Sequence, residues 1–264
     1  MKDFQNKVIW ITGASSGIGE AMAYELARRG AVLILSARRA DVLAAVKARC
    51  ERPDEHLVLP MDMTDQTRFR DQTAVVLSAY GHIDMLVNNA GVSQRALVKD
   101  TSIEVDRQIM ELDFFGPIAL TKAVLPHMLA RGSGHLVAVS SVVGLVATPY
   151  RSAYASAKHA IIGFHDALRA EVHAAGLKVS VLCPGFVRTN VSLSALTSDG
   201  SPHGKVDPQQ GKAMSAEHFA RKAVDGLARG QGRIVIAGRE KLAVYLGRLS
   251  PALLERVVRK VSVV

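Results

Sequence analysis

Tyr154 and Lys158 stand four residues apart in the segment AYASAK (153–158), and everything between them is small. On a helix that spacing puts both side chains on one face, one turn apart. A phenol can give or take a proton, but its ordinary pKa of ~10 is too high for ready exchange near neutral pH. An ammonium ~5 Å from a tyrosinate attracts it by ~3 kcal/mol at an effective dielectric of ~20. Such a neighbour eases loss of the phenolic proton. Ala155 and Ala157 leave room beside the pair for a substrate and a cofactor. Taken alone, Tyr and Lys at this spacing are more often an exposed helix surface, so the surrounding elements must decide.

Those elements alternate. Apolar runs at 8–12, 32–35, 56–59, 84–87, 134–140, 179–183 and 234–236 read as strands. Helical patterns cover 20–29, 41–51, 64–80, 101–130, 152–175 and 215–229. Continuous apolar strands alternating with amphipathic helices predict an α/β fold: a doubly wound parallel sheet of Rossmann type, in three α/β/α layers. The 264 residues suit one such domain better than two. The least patterned stretch, within 190–214, predicts a loop on the substrate side. The C-terminal extension 241–264 is apolar and basic together.

Thr12-Gly13-Ala14-Ser15-Ser16-Gly17-Ile18-Gly19 falls where the first strand becomes the first helix. Glycines there permit a tight turn and let backbone N–H groups approach a pyrophosphate at a helix N-terminus, which points to a dinucleotide. The spacing, Gly-x-x-x-Gly-x-Gly, is looser than the commonest dinucleotide fingerprint. The second strand ends in Ser36-Ala37-Arg38-Arg39, with no acidic residue to hold the ribose hydroxyls of NAD(H). An arginine beside small residues suits a 2′-phosphate, so NADP(H) is preferred and NAD(H) is the alternative. The plainer reading makes Arg38 and Arg39 a solvated helix start. Asp62 either accepts from an adenine amino group or caps a helix start with Thr64 and Asp65.

Composition bounds the partners. Hydrophobic residues make up 48% and charged residues 22%, an ordinary globular balance. Cys50 and Cys183 are far apart and suggest neither a disulfide framework nor a metal cluster, so a reducing, cytoplasmic setting is expected and no metal is assigned. Cys183, just before Pro184, reads as a packed strand end rather than a nucleophile. The N-terminal segment lacks the pattern of a signal peptide. The longest run free of charged residues, 132–150, is too broken by Gly, Ser, His and Pro to span a membrane. A net charge of +9 favours anionic partners. The basic residues are scattered without an aromatic-interleaved stripe, which sets nucleic acid aside.

TGASSGIG, NNAG (88–91), Ser141, Tyr154-x-x-x-Lys158 and PGFVRT (184–189) occur in that order, and the ordered set resembles the short-chain dehydrogenase/reductase family. Within it, DFFGPIALTKAVLPHM and RSAYASAKHA look most like the branch named dehydrogenase/reductase member seven. The resemblance implies hydride transfer between a nicotinamide and a carbonyl or secondary alcohol. Tyr154 would then be the acid/base, Lys158 would assist it and hold the nicotinamide ribose, and Ser141 would hydrogen-bond the substrate oxygen. Coenzyme contacts would come from Gly13, Ser15, Ser16, Gly17, Ile18 and Gly19 in the first turn. Arg38, Asp62 and Met63 would follow at the adenosine end, and Asn89, Ala90 and Gly91 midway. Pro184, Gly185, Val187 and Thr189 would meet the carboxamide side. Asn89 more readily ties the central strands, Gly91 lets backbone pass close to the coenzyme, and Thr189 is otherwise a helix cap. Homodimers or homotetramers are common in the family.

One position departs from the family pattern. Asp113 stands where an asparagine is usual, at a helix kink whose carbonyl holds a water leading protons to the lysine. Two readings compete: Asp113 pairs with Lys158 through water and weakens its pull on Tyr154, or burial raises the Asp113 pKa so that it joins the relay. A tolerated substitution is the plainest third. Substrate shape is expected from Val142, Val143, Leu145, Val146 and Tyr150, favouring a hydrophobic carbonyl or alcohol. The C-terminal segment is read first as a helix covering the pocket or a subunit contact, and second as an interfacial helix on acidic lipid. The alternative to an enzyme is an NADP(H)-binding sensor in which Asp113 has impaired turnover.

Overall fold

The computed structural model describes residues 3–207 and 213–259. β1 (Val8–Thr12), β2 (Val32–Ser36), β3 (Leu57–Val58), β4 (Met85–Asn88), β5 (His135–Val139) and β6 (Lys178–Pro184) are strands of one sheet. A short parallel pair, β7 (Val187–Arg188) with β8 (Met214–Ser215), follows, and β9 (Arg233–Ile236) completes the sheet. Among the described residues that sheet has seven strands, in the order β3-β2-β1-β4-β5-β6-β9. Every pairing is parallel.

Alternation along each strand explains the unbroken apolar runs. Ile9 and Ile11 of β1 point into the layer of α1 (Gly17–Arg28), α2 (Ala40–Arg49) and, entering later in the chain, the helix 216–228. Val8 and Trp10 point to the opposite layer, built from α3 (Phe69–Tyr80) and the helices 116–131 and 152–171. With both faces covered, neither set can be polar. Trp10, wholly buried, donates its indole N–H to Ser36 Oγ at 2.8 Å, so its burial leaves no polar atom unpaired. The strand order reverses between β1 and β4, which opens a crevice at the C-terminal ends of the strands.

The expected elements form, with three corrections: the helix expected over 152–175 ends at Glu171, before a 3₁₀ turn His173–Ala175. The pattern at 64–80 becomes helical only at Phe69, after a 3₁₀ turn Gln66–Arg68. The single helix expected over 101–130 is three pieces: α4 (Ile103–Met110), a π-helical segment Glu111–Phe115, and α5 (Gly116–Arg131). Pro117 has no N–H to give the Asp113 carbonyl four residues back, and its ring crowds that carbonyl, so the helix widens there.

α6 (Ser152–Glu171) and α7 (Ala216–Ala228) precede β6 and β9. In the loop expected at 190–214, residues 208–212 lie outside the described residues. Its described part is held to the chain after β4 by a bridge between Gln94 and Leu196. The C-terminal extension forms α8 (Lys241–Leu249) and α9 (Pro251–Val258), and 260–264 lie outside the described residues. Val244, Leu254 and Val258 pack on Val142 and Val146. No helix among the described residues is long and apolar enough to cross a membrane.

Candidate active site

A cleft of about 720 Å³ runs along the C-terminal edge of the sheet. One end lies at the first turn, where Gly13, Ser15, Ser16, Gly17 and Ile18 line it. Ser16 is the N-cap of α1 but its side chain makes no capping bond, so the first-turn amides are left for another acceptor. A dinucleotide phosphate fits that vacancy of acceptors at the positive end of a twelve-residue helix. Gly19 does not line the cleft. It is buried, and a Cβ there would overlap Gly13 O and stand 2.5 Å from Asn89 Nδ2, so Gly19 serves close packing of helix on strand rather than coenzyme contact.

Arg38, Asp62 and Met63 line the adenosine end. Asp62 Oδ1 accepts from Thr64 N–H at 2.9 Å and from Thr64 Oγ1 at 2.8 Å. The Thr64 amide chiefly, with help from the Thr64 hydroxyl and the Arg38 charge, holds Asp62 below the usual carboxylate range against a modest burial penalty. The capping reading of Asp62 therefore holds in part, since it closes a local turn with Thr64. Asn89 donates to Thr12 O at 2.9 Å and Gly13 O at 3.2 Å. It ties β1 to β4 as expected, and Ala90 and Gly91 continue the cleft wall beside it.

At the centre, Ser141, Tyr154 and Lys158 all face the cleft. Ser141 ends the run after β5, and its Oγ accepts from Val143 N–H at 3.1 Å, which leaves its own proton to donate. α6 carries Tyr154 and Lys158 on one face, with Lys158 Nζ 5.6 Å from the Tyr154 ring centre. Gln94 Oε1 accepts from the first-turn amides of Ala153 and Tyr154, at 2.9 and 3.4 Å, and so fixes where α6 begins.

Lys158 and Asp113 meet directly. Nζ lies 3.1 Å from Asp113 Oδ2, an ion pair with both side chains buried. The water-bridged pairing is corrected to this direct one. Asp113 Oδ1 accepts from Val92 N–H at 2.8 Å, and Lys158 Nζ also donates to Val139 O at 3.1 Å. Burial pushes the Asp113 carboxyl up, against the pull of Lys158 and the Val92 amide. Burial works against the Lys158 ammonium, but the Asp113 charge and Tyr154 outweigh it and the net direction is upward. Gly91 makes room for the pair: a Cβ there would stand 2.9 Å from Asp113 Oδ2.

Pro184, Gly185, Val187 and Thr189 line the cleft, as do Val142, Val143 and Val146. Leu145 and Tyr150 do not line it. The 3₁₀ turn Val142–Gly144 sends Leu145 toward Ile162, Val181 and Cys183. Tyr150 sits in a left-handed turn (φ 65°) whose carbonyl accepts from Ala96 N–H. Burial pushes the Cys183 thiol up to about 12, as suits a packed strand end and not a nucleophile.

The short chain dehydrogenase family profile matches residues 7–198. The chain belongs to that family. A fruit-fly (Drosophila melanogaster) protein named dehydrogenase/reductase SDR family protein 7-like is 41% identical over 97% of this chain and 81% of its own length. The bovine (Bos taurus) dehydrogenase/reductase SDR family member 7B is 40% identical over 96% of this chain and 81% of its own length. These relatives bear out the member-seven branch as well as the family. Among solved structures, a short-chain dehydrogenase/reductase from Burkholderia phymatum in complex with NAD superposes with a TM-score of 0.83. It is 25% identical and covers 96% of each chain. This short-chain dehydrogenase therefore has an oxidoreductase fold with a nicotinamide dinucleotide cleft.

Sequence reasoning missed several cleft residues of this family member. Thr12 Oγ1 accepts from the Asn89 and Ala90 amides at 3.0 and 3.1 Å. Arg95, Arg151 and Asp207 line the substrate end, and Val257 and Val258 of α9 also line the cleft. Arg151 adjoins the Tyr154 motif and was legible as a nearby charge. Nothing local links Arg95 to Asp207, which the fold brings together.

Proposed function

We propose that this protein is an NADP(H)-dependent oxidoreductase that interconverts a largely apolar carbonyl compound and its secondary alcohol. The convergence of Ser141, Tyr154 and Lys158 on one cleft, continuous with the open first-turn amides of α1, carries the reading. When bound, the nicotinamide supplies or accepts the hydride. In the reducing direction Ser141 donates a hydrogen bond to the substrate oxygen. Tyr154 gives its proton to that oxygen as negative charge develops there. Lys158 stabilises the resulting tyrosinate. Val142, Val143 and Val146, all buried, give the cleft an apolar wall suited to the rest of such a substrate.

Arg38 supports NADP(H) over NAD(H), because it lines the cleft beyond β2 where a 2′-phosphate would lie. Charge-assisted bonds of this kind contribute ~1.5–3 kcal/mol. Arg38→Gln is expected to raise KM for NADPH by about 10–100-fold and to change KM for NADH little. Steady-state assays of both coenzymes with a carbonyl panel test the whole proposal. An equal change for the two coenzymes would remove the assignment to Arg38.

The direct Asp113–Lys158 pair favours one further reading, a coenzyme-binding sensor with weak turnover. Asp113 partly cancels the positive charge felt by a tyrosinate, so it resists loss of the phenolic proton. Asp113→Asn removes that opposition and leaves the Lys158 charge to act on the phenol uncancelled. The acid limb of the pH–rate curve for alcohol oxidation is expected to move down by about one pH unit. Superimposable curves for the two proteins would show that Asp113 has no such effect. Coenzyme binding without turnover of any carbonyl would favour the sensor.

A further inference from the structure

The substrate end of the cleft is not uniformly apolar. Arg95, Arg151 and Asp207 line it, and all three are buried. Arg95 grips Asp207 with a two-pronged fork: Nε meets Oδ1 at 3.0 Å and Nη2 meets Oδ2. Its Nη1 is taken by Ser93 Oγ and the Gln94 carbonyl. Arg151 reaches the same carboxylate only through Nη2, at 3.5 Å. Arg151 Nε is buried with no hydrogen-bond partner among the described residues.

Two guanidinium groups thus share one carboxylate, which leaves a surplus positive charge in a buried place. Burial pushes Arg151 down to about 10, and the charge of Arg95 adds to the push while Asp207 opposes it. A clasp that only held the loop would balance its charges, because an uncompensated buried ion is costly. The Arg95–Asp207 fork already does the clasping. Arg151 faces the Phe186 ring at 5.8 Å and opens on the cleft. It lies three residues before Tyr154, which at the rise of a helix is ~4.5 Å along the axis.

Resting on the oxidoreductase reading above, we propose that Arg151, oriented by Asp207 and Arg95, receives an anionic group of the substrate, a carboxylate or a phosphate ester, carried within a few bonds of the reacting carbonyl. The valines that line the same cleft take the apolar remainder, so the substrate is an amphiphile rather than a neutral ketone. Arg151 is a specificity-determining residue, not a catalytic one.

Two measurements test this on the whole 264-residue chain with NADP⁺ present. Calorimetric titration with octanoate, octyl phosphate and octanol reads the anion site without turnover. At least one of the charged probes is expected to bind ten-fold or more tightly than octanol, and which of the two does so separates carboxylate from phosphate. Arg151→Gln is expected to erase that preference, and Arg151→Lys to restore part of it. Equal or undetectable binding of all three probes by the unaltered protein overturns the proposal with no variant needed, as does a preference that survives in R151Q. The second measurement is the ratio of kcat/KM for a medium-chain keto acid, or the matching keto-alkyl phosphate, to that for the keto acid's methyl ester. The ratio is expected to exceed ten and to fall about ten-fold in R151Q. A ratio near one overturns the proposal while leaving the oxidoreductase reading intact. Charge-selective binding with no turnover of any carbonyl faults the oxidoreductase reading instead and upholds the anion site.

Discussion

Replacing Tyr154 by Phe is expected to lower kcat by about 10²–10⁴-fold while leaving the fold and coenzyme binding in place. The ring of Tyr154 is half-buried against Val105, Ile109, Ala153, Ala157 and Leu196, and phenylalanine keeps that packing. What is lost is one transferable proton at the position where an alkoxide forms. General acid–base catalysis by a positioned side chain contributes an effect of that size. Ser141 still polarises the carbonyl and the coenzyme still lies beside it, so KM for coenzyme stays near its original value. Single-turnover oxidation of NADPH checks the rate, and a thermal melt monitored by circular dichroism checks the fold. Retained turnover in Y154F would move the acid/base role to another group.

Lys158→Met has a double effect, on activity and on stability. It removes the cation that favours tyrosinate, and it strands Asp113 in a buried place with only the Val92 amide for company. Breaking a buried pair from one side costs about 3–5 kcal/mol. The carboxyl can relieve this by taking up a proton, since burial already pushes it upward. A carboxyl whose folded pKa is raised gives up stability as pH rises above its unfolded value of ~3.9. The destabilisation of K158M is therefore smallest near pH 4 and grows toward neutral pH, which urea unfolding at several pH values would reveal. Adding Asp113→Asn removes the stranded charge. The double variant is expected to regain much of the lost stability and none of the lost activity. A double variant as unstable as K158M would show that the two side chains are not energetically coupled.

The distribution of legible and illegible features follows the range of the interactions. The strands were readable to within a residue or two because burial on both faces demands unbroken apolar runs, as in Val8–Thr12. The first turn was readable because glycine, serine and helix start are adjacent. Even there, Gly19 differs from its neighbours only through contact with Gly13 and Asn89, and so it was read as coenzyme-facing when it packs. The broken helix around Asp113 carried its own signal, the Gly116-Pro117 pair, which outweighs an otherwise helical periodicity. Leu145 and Tyr150 were read as substrate-facing by position alone. Their directions are set by a 3₁₀ turn and a left-handed residue that apolar content does not encode.

From the amino-acid order alone came the parallel α/β architecture, the dinucleotide turn, and a phenol and an ammonium one helical turn apart. Each of these rests on spacing within a single element, where backbone geometry converts residue number directly into direction. Folding alone decided that the ammonium is met by Asp113 rather than by water. Folding also gathered Arg95, Arg151 and Asp207 at the substrate end and brought the last helix over the cleft. Those contacts join segments far apart in the chain, and no local periodicity specifies which distant side chain arrives. Only the packing of whole helices and loops across the sheet fixes that meeting.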